Sequence, residues 1–140
     1  MIMHRIDLAL LLIFTNIACI NACSQKPSGE GKALYAKHCL VCHQADGSGV
    51  PGMFPALNRT KKISEPADEL IKIILSGSQK TAETEGEIYA QVMPAMNYLT
   101  DTEIADLLTY IRSNFGNKAK PVTAREVSRM REKGKGAVKK

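Results

Sequence analysis

The sequence predicts an all-α fold of three to five short helices, and three observations support this fold class. Apolar residues recur at i, i+3, i+4 and i+7 in several segments, which is the spacing of one helix face. Two of these segments are bounded by residues that typically start and stop helices, and no segment reads as a convincing strand. The 140 residues leave room for one small domain behind an N-terminal leader.

Two helices are predicted in the first part of the domain, over residues 29–39 and 66–76. The first contains apolar residues at helical spacing. Proline suits the first helical turn, so Pro66 fits the start of the second helix. Gly77 fits its end, because glycine often terminates helices.

The strongest helix signal covers residues 101–115. Thr100 and Glu103 fit a capping box, in which each side chain accepts a hydrogen bond from the other residue's backbone N–H. Gly116 follows where a glycine stop is common. The apolar stripe of this helix consists of Ile104, Leu107, Leu108 and Ile111.

Residues 39–43 form the pattern C-x-x-C-H, which is the attachment signature of a c-type haem. Cys39 and Cys42 lie about one helical turn apart, so both thiols can bond to the vinyl groups of one porphyrin edge. His43 follows directly and can bind the iron. One segment therefore supplies a covalent tether and a first axial ligand for one haem c.

Two other interpretations of the cysteine pair remain open. A structural zinc site needs four ligands, but the other cysteines, Cys19 and Cys23, belong to the leader, and His4 precedes it. A dithiol redox motif normally occurs near a βαβ pattern, and nothing before Cys39 reads as a strand. Both alternatives fit the sequence less well than haem.

A loop rich in glycine and proline follows the motif, over residues 44–58. Such loops often only connect elements. A ligating histidine, however, normally donates its second ring N–H to a carbonyl or carboxylate. We therefore expect the carbonyl of Pro55 to accept the N–H of His43.

The second axial ligand is expected in the segment Met-Pro-Ala-Met, which begins fifty residues after His43. A thioether opposite imidazole raises the reduction potential, and it leaves no open position on the iron. Met93 is the preferred ligand because Pro94 restricts the loop directly after it. Met96 is the alternative.

Residues 1–22 have the features of a bacterial lipoprotein signal peptide. The largely apolar run over residues 8–20 has thirteen residues, which is short for a membrane span. An aliphatic and a small residue precede Cys23 at the positions of a lipoprotein box, so Cys23 is the predicted acylation site and residues 23–28 a linker. Ordinary leader cleavage is the alternative. We expect the protein on the periplasmic side of a bacterial membrane, and Ser24 is compatible with the outer membrane.

Positive charge is concentrated in residues 118–140, which contain nine Lys or Arg and two Asp or Glu, a net charge of +7. Residues 1–117 contain ten Lys or Arg and twelve Asp or Glu, a net charge of −2. One interpretation is a short helix, capped by Thr123 and Glu126, with a disordered tail. The other is a surface that steers the protein to an acidic partner or to anionic lipid. Nucleic acid is not an expected partner of an exported protein.

The order of these motifs resembles class I cytochrome c, in the bacterial monohaem group with a Met-Pro ligand loop. The resemblance covers residues 29–117 and rests on segments 39–43, 52–57, 93–95, 99–101 and 108–117. It implies the cytochrome c fold, with short helices packed around one covalently bound haem. It also implies that Cys39 and Cys42 form the thioether bonds and that His43 and Met93 are the axial ligands. Pro55 would accept the hydrogen bond from the His43 N–H.

The resemblance implies a one-electron carrier that exchanges electrons with a donor and an acceptor protein and is not itself an enzyme. One alternative is a haem-based sensor or peroxidase-like enzyme with a labile methionine ligand. Another is a detached cytochrome subunit of an oxidase or reductase complex. The carrier is favoured because the only other histidine of the domain, His38, is expected to be surface-exposed and so unable to act as an acid or base at the iron.

Overall fold

The computed structural model of the protein describes residues 29–78, 82–84, 86–89 and 91–137. The predicted signal peptide over residues 1–22, the linker over residues 23–28, Cys23 and the last three residues lie outside the described residues. Within the described part of the chain, no helix combines the length and the apolar character needed to cross a membrane.

The described residues form six α-helices, and the predicted all-α fold class is confirmed. In chain order they are α1 (Glu30–His38), α2 (Leu40–His43), α3 (Lys61–Ser64), α4 (Asp68–Ser76), α5 (Asp101–Ser113) and α6 (Ala124–Ala137). The four predicted helices correspond to α1, α4, α5 and α6. The capping box at the start of α5 is present in both directions, between the side chains and backbone N–H groups of Thr100 and Glu103.

Two helix boundaries differ from prediction. Helix α4 begins at Asp68, two residues after Pro66, and its N-cap is Ala67. Helix α5 ends at Ser113, because Asn114 is extended (φ −117°, ψ −176°) and Phe115 adopts a left-handed φ of 56°. In that conformation its ring packs against Tyr35 and Tyr110, at centroid distances of 4.9 and 5.6 Å.

A short antiparallel hairpin is the main departure from the prediction that no segment forms a strand. Strand β1 (Ala82–Thr84) pairs with β2 (Glu87–Tyr89), with Ala82 opposite Tyr89. Three-residue strands are too short to show a reliable alternation of apolar and polar residues. The hairpin turn contains Gly86, with a φ of 85°.

Helices α1 and α5 cross at Gly31, where the two backbones approach closely. A Cβ atom at Gly31 would collide with the carbonyl oxygen of Asp106 and would lie 2.7 Å from the Cβ of Tyr110. One turn further along α1, Tyr35 is buried against the ring of Tyr110 in α5. This crossing fixes the direction in which α1 delivers Cys39 to the interior.

The C-terminal extension packs on the domain and is more ordered than the short helix and disordered tail predicted for residues 118–140. Helix α6 is 14 residues long and runs into the Lys/Gly segment as far as Ala137. Val122 and Val127 are buried in the same core as α5. The hydroxyl of Thr109 both accepts from the N–H of Val122 (2.9 Å) and donates to its carbonyl (3.2 Å). The extension is therefore part of the fold.

Candidate haem-binding site

The C-x-x-C-H motif lies at the junction of α1 and α2. Cys39 separates the two helices, and α2 carries Cys42 and His43. The N–H of His43 donates to the carbonyl of Cys39 at 2.8 Å, which closes one helical turn. The two thiols and the imidazole therefore follow one another around a single turn, and all three line the same cavity.

This cavity has a volume of about 690 Å³, within the range of about 300–1,000 Å³ that is common for ligand pockets. Its wall is mostly apolar. Burial against such a wall favours a large apolar ring system over water. Helices α3, α4 and α5 contribute six aliphatic side chains to the wall, Ile63, Leu70, Ile73, Ile74, Leu108 and Ile111.

Both cysteines are free thiols, and Cys39 is only 4% exposed. Burial, together with the nearby Cys42, raises the pKa of Cys39 to about 12. The buried thiol is therefore uncharged at neutral pH. A thioether at this position carries no charge either, so covalent attachment places no ion in the apolar wall.

The imidazole of His43 is held by the loop that follows it. His43 Nδ1 lies 2.9 Å from the carbonyl oxygen of Pro55, the acceptor that the sequence predicts. Gly49 allows this approach, because a Cβ atom there would lie 2.6 Å from the same oxygen. Burial lowers the pKa of His43 and outweighs the hydrogen bond to Pro55, which raises it. The lowered pKa favours the neutral imidazole, whose Nε2 would then be free to bind a metal ion.

Both candidate methionines line this cavity. Met93 is half-buried, whereas Met96 is 5% exposed and belongs to the core. The loop is fixed by backbone hydrogen bonds to the end of α4. The N–H of Ser78 donates to Met93 (2.9 Å), and the N–H of Met96 donates to Ile74 (2.8 Å). The structure thus brings the predicted loop to the cavity that contains His43.

His38 is a correction to the sequence analysis, which predicted a surface position. The side chain is half-buried and lines the cavity, with Nδ1 3.3 Å from the hydroxyl of Tyr98. His38 Nε2 is buried and has no hydrogen-bond partner among the described residues. Helical periodicity could have indicated this, because His38 lies three residues after the buried Tyr35, on the same face of α1.

These residues fit a covalently bound haem. Two thiols and one imidazole converge on a single, mostly apolar cavity, which is also lined by His38. The described residues contain no group of three or more His, Cys, Asp or Glu side chains that could hold a metal ion by themselves.

Comparison with known proteins gives an independent test. A family model for cytochrome c matches residues 28–115. The chain is 38% identical over 113 residues to cytochrome c-552 of Thermus thermophilus. The match covers 74% of this chain and 86% of that protein.

Two cytochrome subunits of dehydrogenases are also similar. Identity is 39% over 115 residues with the fructose dehydrogenase cytochrome subunit of Gluconobacter japonicus. It is 32% over 109 residues with the cytochrome c subunit of the quinone-type alcohol dehydrogenase of Gluconacetobacter polyoxogenes. Each match covers 76% of this chain and 23% of the subunit.

The family match and the Thermus relative confirm the fold, the cofactor and the general function predicted from the sequence. The C-x-x-C-H motif at the cavity wall is the matching chemical feature of the structure. The chain belongs to the cytochrome c family, as a class I c-type cytochrome that carries single electrons on a covalently bound haem c.

Proposed function

We propose that this cytochrome transfers electrons with a six-coordinate haem whose axial ligands are His43 and Met93. The bound haem supplies a one-electron iron couple. One observation carries the assignment. The cavity that contains His43 is also lined by the methionine loop, and hydrogen bonds to the end of α4 hold that loop in place.

The surroundings of the two methionines favour Met93 as the ligand. Met96 is a core residue whose carbonyl accepts the N–H of Leu99 at 3.1 Å, in the turn that leads into α5. Met93 is only partly buried, and Pro94 restricts the backbone beside it. Met93 therefore has more freedom to turn its thioether toward a bound group, while Met96 packs the core.

The role of the other site residues is to keep both ligands still. Pro55 holds His43 through Nδ1, and this type of hydrogen bond fixes the orientation of a ligating ring. The mostly apolar wall of the cavity disfavours water beside a bound haem. A held ligand pair in a dry cavity suits electron transfer, and an easily displaced methionine would suit a sensor or a peroxidase-like enzyme.

The ligand assignment is tested with the matched variants Met93→Leu and Met96→Leu. The oxidised wild-type protein should show the weak far-red absorption band of a sulfur-to-iron bond. We expect Met93→Leu to abolish the band and Met96→Leu to retain it. Retention of the band in Met93→Leu would refute the assignment. Rapid CO binding by the reduced wild-type protein at neutral pH would instead support the sensor class.

A second candidate function is that of a cytochrome subunit bound to a larger redox enzyme. The relatives named as cytochrome subunits of dehydrogenases support it, although this chain spans about a quarter of their length. In either case the partners are redox proteins. The native mass of the cytochrome, extracted with mild detergent from its own membranes, separates the two. A free carrier runs as a single small protein, and a subunit elutes with an oxidoreductase.

We also propose that the cytochrome is anchored by acylation of Cys23 on the periplasmic side of a bacterial membrane. Two or more acyl chains give stable anchoring, whereas one chain binds only marginally. Cys23→Ser should move the protein from the membrane fraction to the soluble periplasmic fraction. Cys19→Ser is the matched control and should leave the protein in the membrane. Membrane retention of Cys23→Ser would refute the anchor.

A further inference from the structure

We propose that Arg131, in the C-terminal extension, is a positioning residue that keeps the methionine ligand loop closed over the haem cavity. The proposal rests on the proposed His/Met ligation. It goes further, because it makes the extension a determinant of how firmly the methionine stays bound.

Arg131 makes three hydrogen bonds to one short stretch of chain. Nη1 donates to the carbonyl of Asn97 (2.8 Å), Nη2 to the carbonyl of Leu99 (2.7 Å), and Nε to the carboxylate of Asp101 (2.8 Å). The Arg131 side chain is 23% exposed. A planar guanidinium with three matched acceptors forms directional, charge-assisted bonds.

These acceptors lie between the ligand loop and helix α5. Asn97 and Leu99 follow Met96, and Asp101 is the first residue of α5. The other end of the loop is held by the backbone hydrogen bond from Ser78 to Met93. The loop therefore has two anchors, one at the end of α4 and one on α6. Without Arg131, the second anchor loses its three hydrogen bonds.

Helix α6 is a firm base for this anchor. Val127 is fully buried and Met130 packs against the same core, so the face that carries Arg131 is fixed on the domain. Arg131 lies four residues after Val127, one helical turn further on. Arg129, on the same helix, forms an ion pair with Asp68 in α4 at 3.4 Å and does not bond to the ligand loop.

The test compares Arg131→Gln with the control Arg129→Gln. We expect CO to bind the reduced Arg131→Gln protein about tenfold faster than wild type. CO can reach the iron only when the ligand loop has moved away from it, and the loss of hydrogen bonds to a charged donor raises the fraction of molecules in that open state by about this factor. The far-red band of the oxidised protein should also disappear at a lower temperature than the helical circular dichroism. Hydrogen exchange at the amides of Met96 and Leu99 should accelerate. Arg129→Gln should match wild type in all three measurements.

Arg131→Lys is a second variant, which keeps the positive charge and an aliphatic side chain but lacks the planar guanidinium that bonds to three acceptors at once. It should show the same changes in smaller degree. Wild-type CO binding and a wild-type band in both Arg131 variants would overturn the proposal, even if their stability falls. Equal effects in Arg129→Gln and Arg131→Gln would also overturn it. A wild-type protein without the far-red band would refute the His/Met ligation itself.

Discussion

Replacing Gly77 with alanine tests whether the end of α4 sets the position of the methionine loop. Gly77 has a φ of 70° and a ψ of −178°, a backbone conformation that is essentially restricted to glycine, and it lies against the backbone of the loop. A Cβ atom at this position would lie 2.5 Å from the carbonyl oxygen of Met93, 2.8 Å from the N of Ala95 and 3.1 Å from the carbonyl carbon of Pro94. All three contacts are with backbone atoms, so the alanine forces the loop to move.

The expected loss of stability has two parts. Holding a non-glycine residue in this sparsely populated conformation costs about 1–3 kcal/mol. Crowding in a packed region adds about 1–3 kcal/mol. We therefore expect Gly77→Ala to lower the free energy of unfolding by about 2–6 kcal/mol. In a domain of this size each kcal/mol lowers the melting temperature by about 4–8 °C.

Gly52→Ala is the control for a positive φ without crowding. Gly52 has the same φ of 70°, but nothing lies within 4 Å of its Cβ position. Its loss should be about 1 kcal/mol. Both variants are measured by guanidinium titration of the haem protein, and the far-red band is recorded before unfolding. Gly77→Ala should weaken the band, and Gly52→Ala should not.

Equal losses of stability in the two variants would show that the positive φ alone sets the cost. An unchanged far-red band in Gly77→Ala would show that the loop tolerates the added methyl group without moving its ligand. Either result would refute the argument that close backbone contact at Gly77 positions the loop.

Three further predictions concern the rest of the domain. Hydrogen bonds from the backbone and side chain of Thr100 hold the pKa of Glu103 below its ordinary value of 4.5. The stability that Glu103 contributes is therefore complete above about pH 4.5, and it is lost as the pH falls through the lower pKa of Glu103 in the folded protein. In urea titrations, Glu103→Gln should be less stable than wild type at pH 7 and nearly equal to it in strong acid. Arg112 is 5% exposed and donates to the carbonyls of Ile63, Glu65 and Lys120. Arg112→Met leaves these acceptors unpaired and should lower the free energy of unfolding by about 2–4 kcal/mol; a loss below about 1 kcal/mol would mean that water replaces the guanidinium. If the basic extension steers the protein to an acidic partner, Lys133→Gln with Lys135→Gln should slow electron transfer at low salt and not at high salt, since both side chains are exposed. Equal rates at every salt concentration would refute steering.

Interactions between neighbours in the chain were predictable. The capping box of Thr100 and Glu103 and the one-turn spacing of Cys39 and Cys42 are patterns within five residues, and the structure contains both. The hydrogen bond from His43 to Pro55 was predicted from the general chemistry of ligating histidines, since the spacing of the two residues does not imply it. The prediction that His38 is surface-exposed was wrong, because it considered only the position of His38 next to the motif. His38 lies on the same face of α1 as the buried Tyr35, and this face packs toward the interior.

The sequence by itself determined the helical class, the covalent haem motif and the candidate ligand loop, because each depends on residues close together in the chain. Only the tertiary structure decided that the C-terminal extension belongs to the core and that Arg131 holds the ligand loop. Arg131 and Asn97 are 34 residues apart, and a contact across that distance leaves no periodic or local pattern in the sequence. The contact forms because burial of Val127 packs α6 on the domain, which brings Arg131 to the backbone carbonyls of Asn97 and Leu99. Backbone carbonyls are present at every residue, so the side-chain sequence does not indicate which of them Arg131 contacts.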